Sequence, residues 1–139
     1  MVRPRPEITP LTQPFWDGAR QGRLVLQRCR ACGHYDHPPF PECTRCRSAD
    51  TGFEAVSGRG TIYQRCIVAS PVVAGFEDRI PYTCLAVELD EQPGLIVVGN
   101  LVDAAPTEAK IGRRVEVVFE DAGEGFVIPV FRLQPEENP

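Results

Sequence analysis

The chain has 139 residues, of which 42% are hydrophobic and 24% charged, and a net charge of −4. That length fits one ordinary domain or two small ones, the composition is globular, and no run of about eighteen apolar residues offers a membrane span. Fourteen prolines and twelve glycines favour turns and short strands over a helical body.

Charge is divided along the chain. Residues 1–59 carry nine arginines against six acids, while residues 60–139 carry six basic residues against thirteen acids. A nucleic-acid binder presents a basic stripe to phosphate, so the acidic larger part argues against nucleic acid as a partner.

In chain order, residues 1–11 hold Pro4, Pro6 and Pro10 and read as an extended arm. The opening residues MVRPRPEITP lack the apolar stretch of a secretory signal, so a cytoplasmic, reducing setting is expected. Thr12 is placed to cap a short helix from about Gln13 to Gln21, with Pro14 in its first turn and Gly22 ending it. Phe15, Trp16 and Ala19 would form its apolar face. Trp16 then either packs on the cysteine module that follows or, with Phe15, anchors a partner.

Residues 23–27 (RLVLQ) alternate as a strand and lead into CRACGHYDHPPFPECTRC. Two Cys-x2-Cys pairs, Cys29/Cys32 and Cys43/Cys46, are separated by ten residues. Each pair brings two sulfurs together in a turn, and two such turns complete a tetrahedron around one metal ion. Disulfides are the alternative, but a reducing compartment disfavours them. Four thiolates leave no open coordination position, so the centre is structural, with Zn2+ as the expected metal and iron as the alternative. Gly33 follows the first pair where a positive φ is expected. The run Pro38-Pro39-Phe40-Pro41 stiffens the link to the second pair. His34 and His37 flank the module and read as solvated or locally hydrogen-bonded. Too small to bury its own core, the module would draw on metal binding for about ten kcal/mol of folding free energy.

Residues 47–60 read as polar and turn-rich, with Ser57-Gly58-Arg59-Gly60 marking a domain joint. Five strands follow, at 61–70, 82–90, 95–102, 114–121 and 126–133, each rich in β-branched and aromatic residues. Glu91-Gln92-Pro93-Gly94 and residues 121–125 read as hairpin turns, and residues 103–112 have room for one helical turn. Five strands with a long excursion after the third follow the chain order of an OB-fold barrel, although periodicity equally permits another small barrel. Pro129 implies an edge or a bulge in the last strand. Cys66 and Cys84 read as small buried hydrophobes. The acidic pairs Glu77-Asp78 and Asp90-Glu91 read as solvated turn residues. No Ser/His/Asp or Cys/His set and no phosphate-binding glycine loop stands out.

Taken together, the chain resembles the DUF35 proteins. The resemblance is carried by Leu26-Gln27-Arg28-Cys29 with Cys32-Gly33, by residues 41–46, by Ser57-Gly58-Arg59-Gly60-Thr61-Ile62-Tyr63, by Pro81-Tyr82, and by Ile111-Gly112-Arg113-Arg114-Val115. It implies a mainly β chain: a short N-terminal helix (1–22), a rubredoxin-like zinc ribbon (23–56) and a five-stranded OB-fold barrel (57–135). It also implies a non-catalytic accessory subunit of an acyl-CoA enzyme. The expected partner is thiolase-like, such as a lipid-transfer-type aldolase of sterol side-chain degradation, or else a MaoC-type hydratase. On that reading the chain helps hold acyl-CoA, whose phosphates would meet Arg28, Arg59 or Arg65 near the ribbon–barrel joint. A nucleic-acid module stacking bases on Tyr63, Tyr82, Phe119 and Phe131 is the competing class.

Overall fold

The computed structural model describes residues 5–70, 74 and 79–135. One helix, α1 (Gln13–Arg20), precedes three strands of at most five residues, β1 (Val25–Cys29), β2 (Tyr35–Asp36) and β3 (Thr51–Ala55), and then five of five residues or more. These are β4 (Arg59–Val68), β5 (Tyr82–Leu89), β6 (Ile96–Asn100), β7 (Arg114–Asp121) and β8 (Val127–Leu133), with a 3₁₀ turn at Pro106–Glu108 in the excursion between β6 and β7.

These last five strands form one antiparallel sheet in the order β6-β5-β4-β7-β8. A parallel bridge between Leu101 and Phe131, with Val102 N–H donating to the Phe131 carbonyl, brings the two edges together. The result is a nearly closed five-stranded barrel with the strand order of an OB-fold. Alternation is clearest in β5, where Thr83, Leu85, Val87 and Leu89 face inward. Pro129 lies on the edge strand β8, where a missing N–H costs no ladder bond.

The small sheet has the order β2-β1-β3. Here the expectation needs correction, because residues 51–55 form a strand within the stretch read as polar and turn-rich. β3 pairs with β1 over its full length, from Val25 opposite Ala55 to Cys29 opposite Thr51. The small module also does not stand apart. Phe15, Leu24, Leu26 and Tyr35 join Ile62, Leu85, Val97 and Phe131 in one continuous core, so its folding draws on the barrel as well as on metal.

Helix α1 lies between the two units. Its Gly18 faces Val25 so closely that a Cβ would meet Val25 Cγ2 at 2.5 Å. The helix closes at Gly22 (φ +73°), where Gly22 N–H donates to Ala19 and Arg23 N–H to Gly18, the paired bonds of a Schellman end. Its start differs from expectation. Thr12 gives the helix no side-chain cap; it forms a reciprocal box with Thr9 instead, each hydroxyl accepting the other's backbone N–H at 3.0 and 3.2 Å. The turn therefore begins three residues earlier than its apolar periodicity shows. Arg5 of the preceding arm reaches the β7–β8 hairpin, bonding the Gly123 carbonyl and Glu124.

Candidate metal centre and the ribbon–barrel joint

The four cysteines of the doubled motif converge. Their sulfurs all lie within 4.8 Å of one another, with Cys29–Cys46 and Cys32–Cys43 each at 3.6 Å. A tetrahedron with metal–sulfur bonds of about 2.3 Å has edges of about 3.8 Å, so the set fits a zinc-sized ion.

Both knuckles are built alike. In the first, Cys29 N–H donates to His34 and Gly33 N–H to Cys29; in the second, Cys43 N–H donates to Ser48 and Arg47 N–H to Cys43. Backbone amides also donate to sulfur, from Cys32 to Cys29 at 3.4 Å and from Arg45 and Cys46 to Cys43 at 3.4 and 3.5 Å. The Cys32 N–H brings the Cys29 thiol down to about 7. Ser48 lowers Cys46 in the same way, but its sulfur neighbours outweigh that and push Cys46 up to about 12. One proton leaves easily and another is held, as expected of crowded thiols whose full ionisation needs a cation among them.

Two glutamines that sequence reading passed over hold this centre in place. Gln27, only 2% exposed, donates to the Phe40 carbonyl at 2.6 Å and accepts the Phe40 N–H at 2.9 Å. It fastens the proline-rich link to β1 as a neighbouring strand would. Gln92, in the β5–β6 turn of the barrel, does the same for Tyr35 of the ribbon, at 3.0 and 2.9 Å. Asp36 accepts from Thr44 N–H and hydroxyl, tying β2 to the second knuckle. The only signal was a buried-pattern glutamine in RLVLQ; nothing local marks Gln92.

The joint itself is tight. Ser57 N–H and hydroxyl both donate to the Glu91 carboxylate, and Asp90 accepts two bonds from Arg114, each 2.6 Å. Arg114 holds the Asp90 carboxyl below its usual range. Both acids stay exposed in their turn, as expected, and each in addition ties the joint through these bonds; Glu77 and Asp78 lie outside the described residues. A Cβ on Gly58 would collide with Val117, and one on Gly60 with the Glu88 carbonyl, which explains both glycines of the joint.

The three arginines are not brought together. Arg28 is fastened to Gly33 O and Glu54 and lies over the Tyr35 ring. Arg65 donates to the Pro106 carbonyl, and Arg59 stands at the start of β4, six residues away or roughly 20 Å along a strand. Of the four aromatics offered for base stacking, Phe131 is fully buried and Phe119 packs against the core. Tyr63 is exposed.

Phe15 stacks on His37 at 5.3 Å, while Trp16 packs on Phe126 of the barrel hairpin at 5.2 Å. Trp16 thus rests on the barrel, and it faces the proline-rich link of the cysteine module across the cavity they share. His34 sits 3.5 Å from Asp36. His37 differs from its expectation: its Nδ1 is buried without a partner, and burial lowers its pKa. Phe15, Trp16, His37, Pro39, Val98 and Ile128 border a cavity of about 410 Å³ beneath α1. Cys66 and Cys84 also depart from expectation, the first being exposed and the second half-buried. They occupy the outward positions of their strands, which the alternation in YTCLAVEL already signals for Cys84. Among the described residues no helix is long and apolar enough to cross a membrane.

Comparison with known proteins agrees with this architecture. Residues 16–52 match the family model described as the ChsH2 rubredoxin-like zinc ribbon domain, and residues 53–120 the one described as the ChsH2 C-terminal OB-fold domain. A "probable enoyl-CoA hydratase alpha subunit" of Thermomonospora curvata is 38% identical over 94% of this chain, which spans only 40% of that relative. A "DUF35 domain-containing scaffold protein" of Methanocaldococcus jannaschii is 34% identical over 83% of both chains. Among solved structures, a chain of the "Ltp2-ChsH2(DUF35) aldolase" superposes with a TM-score of 0.84 at 37% identity, covering 93% of this chain and 98% of that one. The chain belongs to the DUF35 family, as a ChsH2-type zinc ribbon joined to an OB-fold domain.

Proposed function

We propose that this chain is a non-catalytic accessory subunit that docks on a thiolase-like acyl-CoA enzyme, stabilises it and helps to position acyl-CoA, with zinc in its four-cysteine centre. The observation that carries this reading is the match over 98% of the DUF35 chain of an aldolase assembly at 37% identity. The closed donor set supports it: four thiolates fill a tetrahedral ion's coordination and leave no position for substrate. Positioning without a reactive group can contribute strongly to rate by pre-ordering reactants.

We propose the docking surface at the half-buried Trp16 and the exposed Val98, which border the apolar cavity, whereas Phe15, expected to share it, is buried in the core. Arg59 and Arg65 are the proposed contacts to CoA phosphates. Because they lie six residues apart along β4, each would act alone, and Arg28 is already committed to Glu54 and Tyr35. A hydratase is the second candidate partner, favoured by the Thermomonospora relative.

The test is co-expression with candidate aldolase and hydratase subunits from the same genome, followed by size-exclusion chromatography. A stoichiometric complex with an acyl-CoA enzyme supports the reading. Elution of this chain alone beside every such candidate overturns it.

A further inference from the structure

Two cysteines lie outside the metal centre, Cys66 and Cys84. They are Cα partners on the adjacent antiparallel strands β4 and β5, so their side chains rise from the same face of the sheet. The neighbouring hydrogen bonds settle the kind of pair. Thr83 gives its carbonyl to Leu101 on the β6 side, whereas Asp90 N–H donates to Arg59 on the β4 side. Backbone groups alternate along a strand, so Cys84, like Asp90, directs its N–H and carbonyl at β4. The two cysteines form a hydrogen-bonded pair.

In such a pair the Cα atoms stand about 5.5 Å apart, inside the window of roughly 4.4–6.8 Å that a disulfide spans. The Cβ atoms, about 5.5 Å apart in a pair of this kind, must close by roughly 1.5–2 Å to reach the usual disulfide spacing. A bond formed there is held under tension and is readily reduced. The β-bulge at Ile62/Gln64, just upstream, gives β4 the local twist to accommodate it.

The two thiols differ in access. Cys66 is exposed and Cys84 half-buried, where it borders the cavity beneath α1. Asn100 directs its side-chain amide at Cys84 Sγ from 3.8 Å. Burial first, and then the charge on Cys66, raise the Cys84 thiol above its ordinary pKa.

We propose that Cys66 and Cys84 are a reversible oxidation site, forming a disulfide across β4 and β5 in response to low-molecular-weight disulfides. The Cys66 thiolate attacks one sulfur of the small disulfide, making a mixed disulfide and releasing one small thiol once it takes up the proton Cys66 lost. Cys84 gives its proton to solvent, attacks Cys66 Sγ and displaces the second small thiolate, which is protonated in turn. Two protein thiols lose two electrons and two protons, and the small disulfide becomes two thiols. The bond draws the Cys84 sulfur toward β4 and so reshapes the cavity wall under α1. Any effect on docking rests on the function proposed above; the bond itself does not.

The test uses the full, zinc-loaded chain titrated with oxidised glutathione, followed by native and denaturing mass spectrometry. The expected product has lost two hydrogens, keeps its zinc, yields a Cys66–Cys84 crosslinked peptide and reverts with reduced glutathione. The crosslink is absent in Cys66→Ser, and Cys84→Ser instead accumulates a glutathione adduct on Cys66. A stable adduct on Cys66 in the unaltered chain, a bond among the four metal-site cysteines with loss of zinc, or no reaction at all would each overturn the proposal. Partner binding is scored separately, so failure of the docking reading leaves this result standing.

Discussion

Arg47 stands in the second cysteine knuckle where Gly33 stands in the first. Each follows its leading cysteine by four residues, donates its N–H back to that cysteine's carbonyl, and holds a positive φ, +67° for Arg47 and +80° for Gly33. The left-handed conformation costs a non-glycine residue roughly 1–2 kcal/mol, and glycine loses about 0.5–1 kcal/mol of that advantage through its freer unfolded chain. Gly33→Ala is therefore expected to destabilise the metal-loaded chain by about 1 kcal/mol, and Arg47→Gly to leave it unchanged or up to about 1 kcal/mol more stable. Chemical denaturation of the two variants checks the asymmetry; equal losses in both would contradict it.

Gln27 and Gln92 each satisfy both backbone groups of a single residue, Phe40 and Tyr35. Replacing either by Leu leaves an N–H and a carbonyl without a partner, at about 1–3 kcal/mol for each group that water cannot reach. Gln27→Leu, at the more buried site, is expected to cost at least about 2 kcal/mol. Gln92→Leu should cost less but act selectively, raising hydrogen exchange at the Tyr35 amide while β7 and β8 keep their protection. Uniform loss of protection in the Gln92 variant would show that the glutamine does not govern the ribbon–barrel joint.

Most of the architecture was legible because it rests on local signals. The barrel strands are rich in β-branched and aromatic residues and bounded by turn residues, and the cysteine spacing reports the metal centre directly. What escaped depends on contacts between distant residues. β3, with the sequence TGFEA, looks like a loop because its pairing with β1 supplies its order and its side chains stay partly exposed. β2 has only two residues, too few to show a period. Asp90 and Glu91 tie the joint through Arg114 and Ser57, residues 24 and 34 positions away. Cys66 was misplaced because the bulge at Ile62/Gln64 interrupts the alternation of β4, after which the strand runs past the core.

Removing the metal separates the two sources of order. Chelation is expected to release amide protection in β1–β3 first, with β4–β8 weakened but still folded, because the ribbon contributes Leu24, Leu26 and Tyr35 to the shared core while the barrel holds the remainder. Hydrogen exchange before and after chelation checks this. The metal-loaded chain should be colourless, as zinc thiolates are, whereas visible absorbance would mark iron.

His37 and Asp90 both contribute to the response to acid. Burial lowers the His37 pKa, so the unfolded chain takes up a proton first, and stability contributed by neutral His37 falls as pH drops below about 6.5. Arg114 lowers the Asp90 pKa, so its contribution is complete above about pH 4 and lost as pH falls through the folded value. The Asp90–Arg114 pair is nearly half exposed, and Asp90→Asn should cost less than about 1 kcal/mol. His37→Phe is expected to flatten the upper window alone. Zinc retention must be followed in parallel, because acid also protonates the thiolates; an unchanged upper window in His37→Phe would assign that window to them instead.

The role proposed for this chain is that of an accessory subunit of an acyl-CoA enzyme. It is tested most directly by a tagged pull-down from its native host at native expression, with every co-purifying chain identified. A stoichiometric thiolase-like or hydratase-like partner is the predicted result. Recovery of nucleic acid, or of this chain alone, would contradict it.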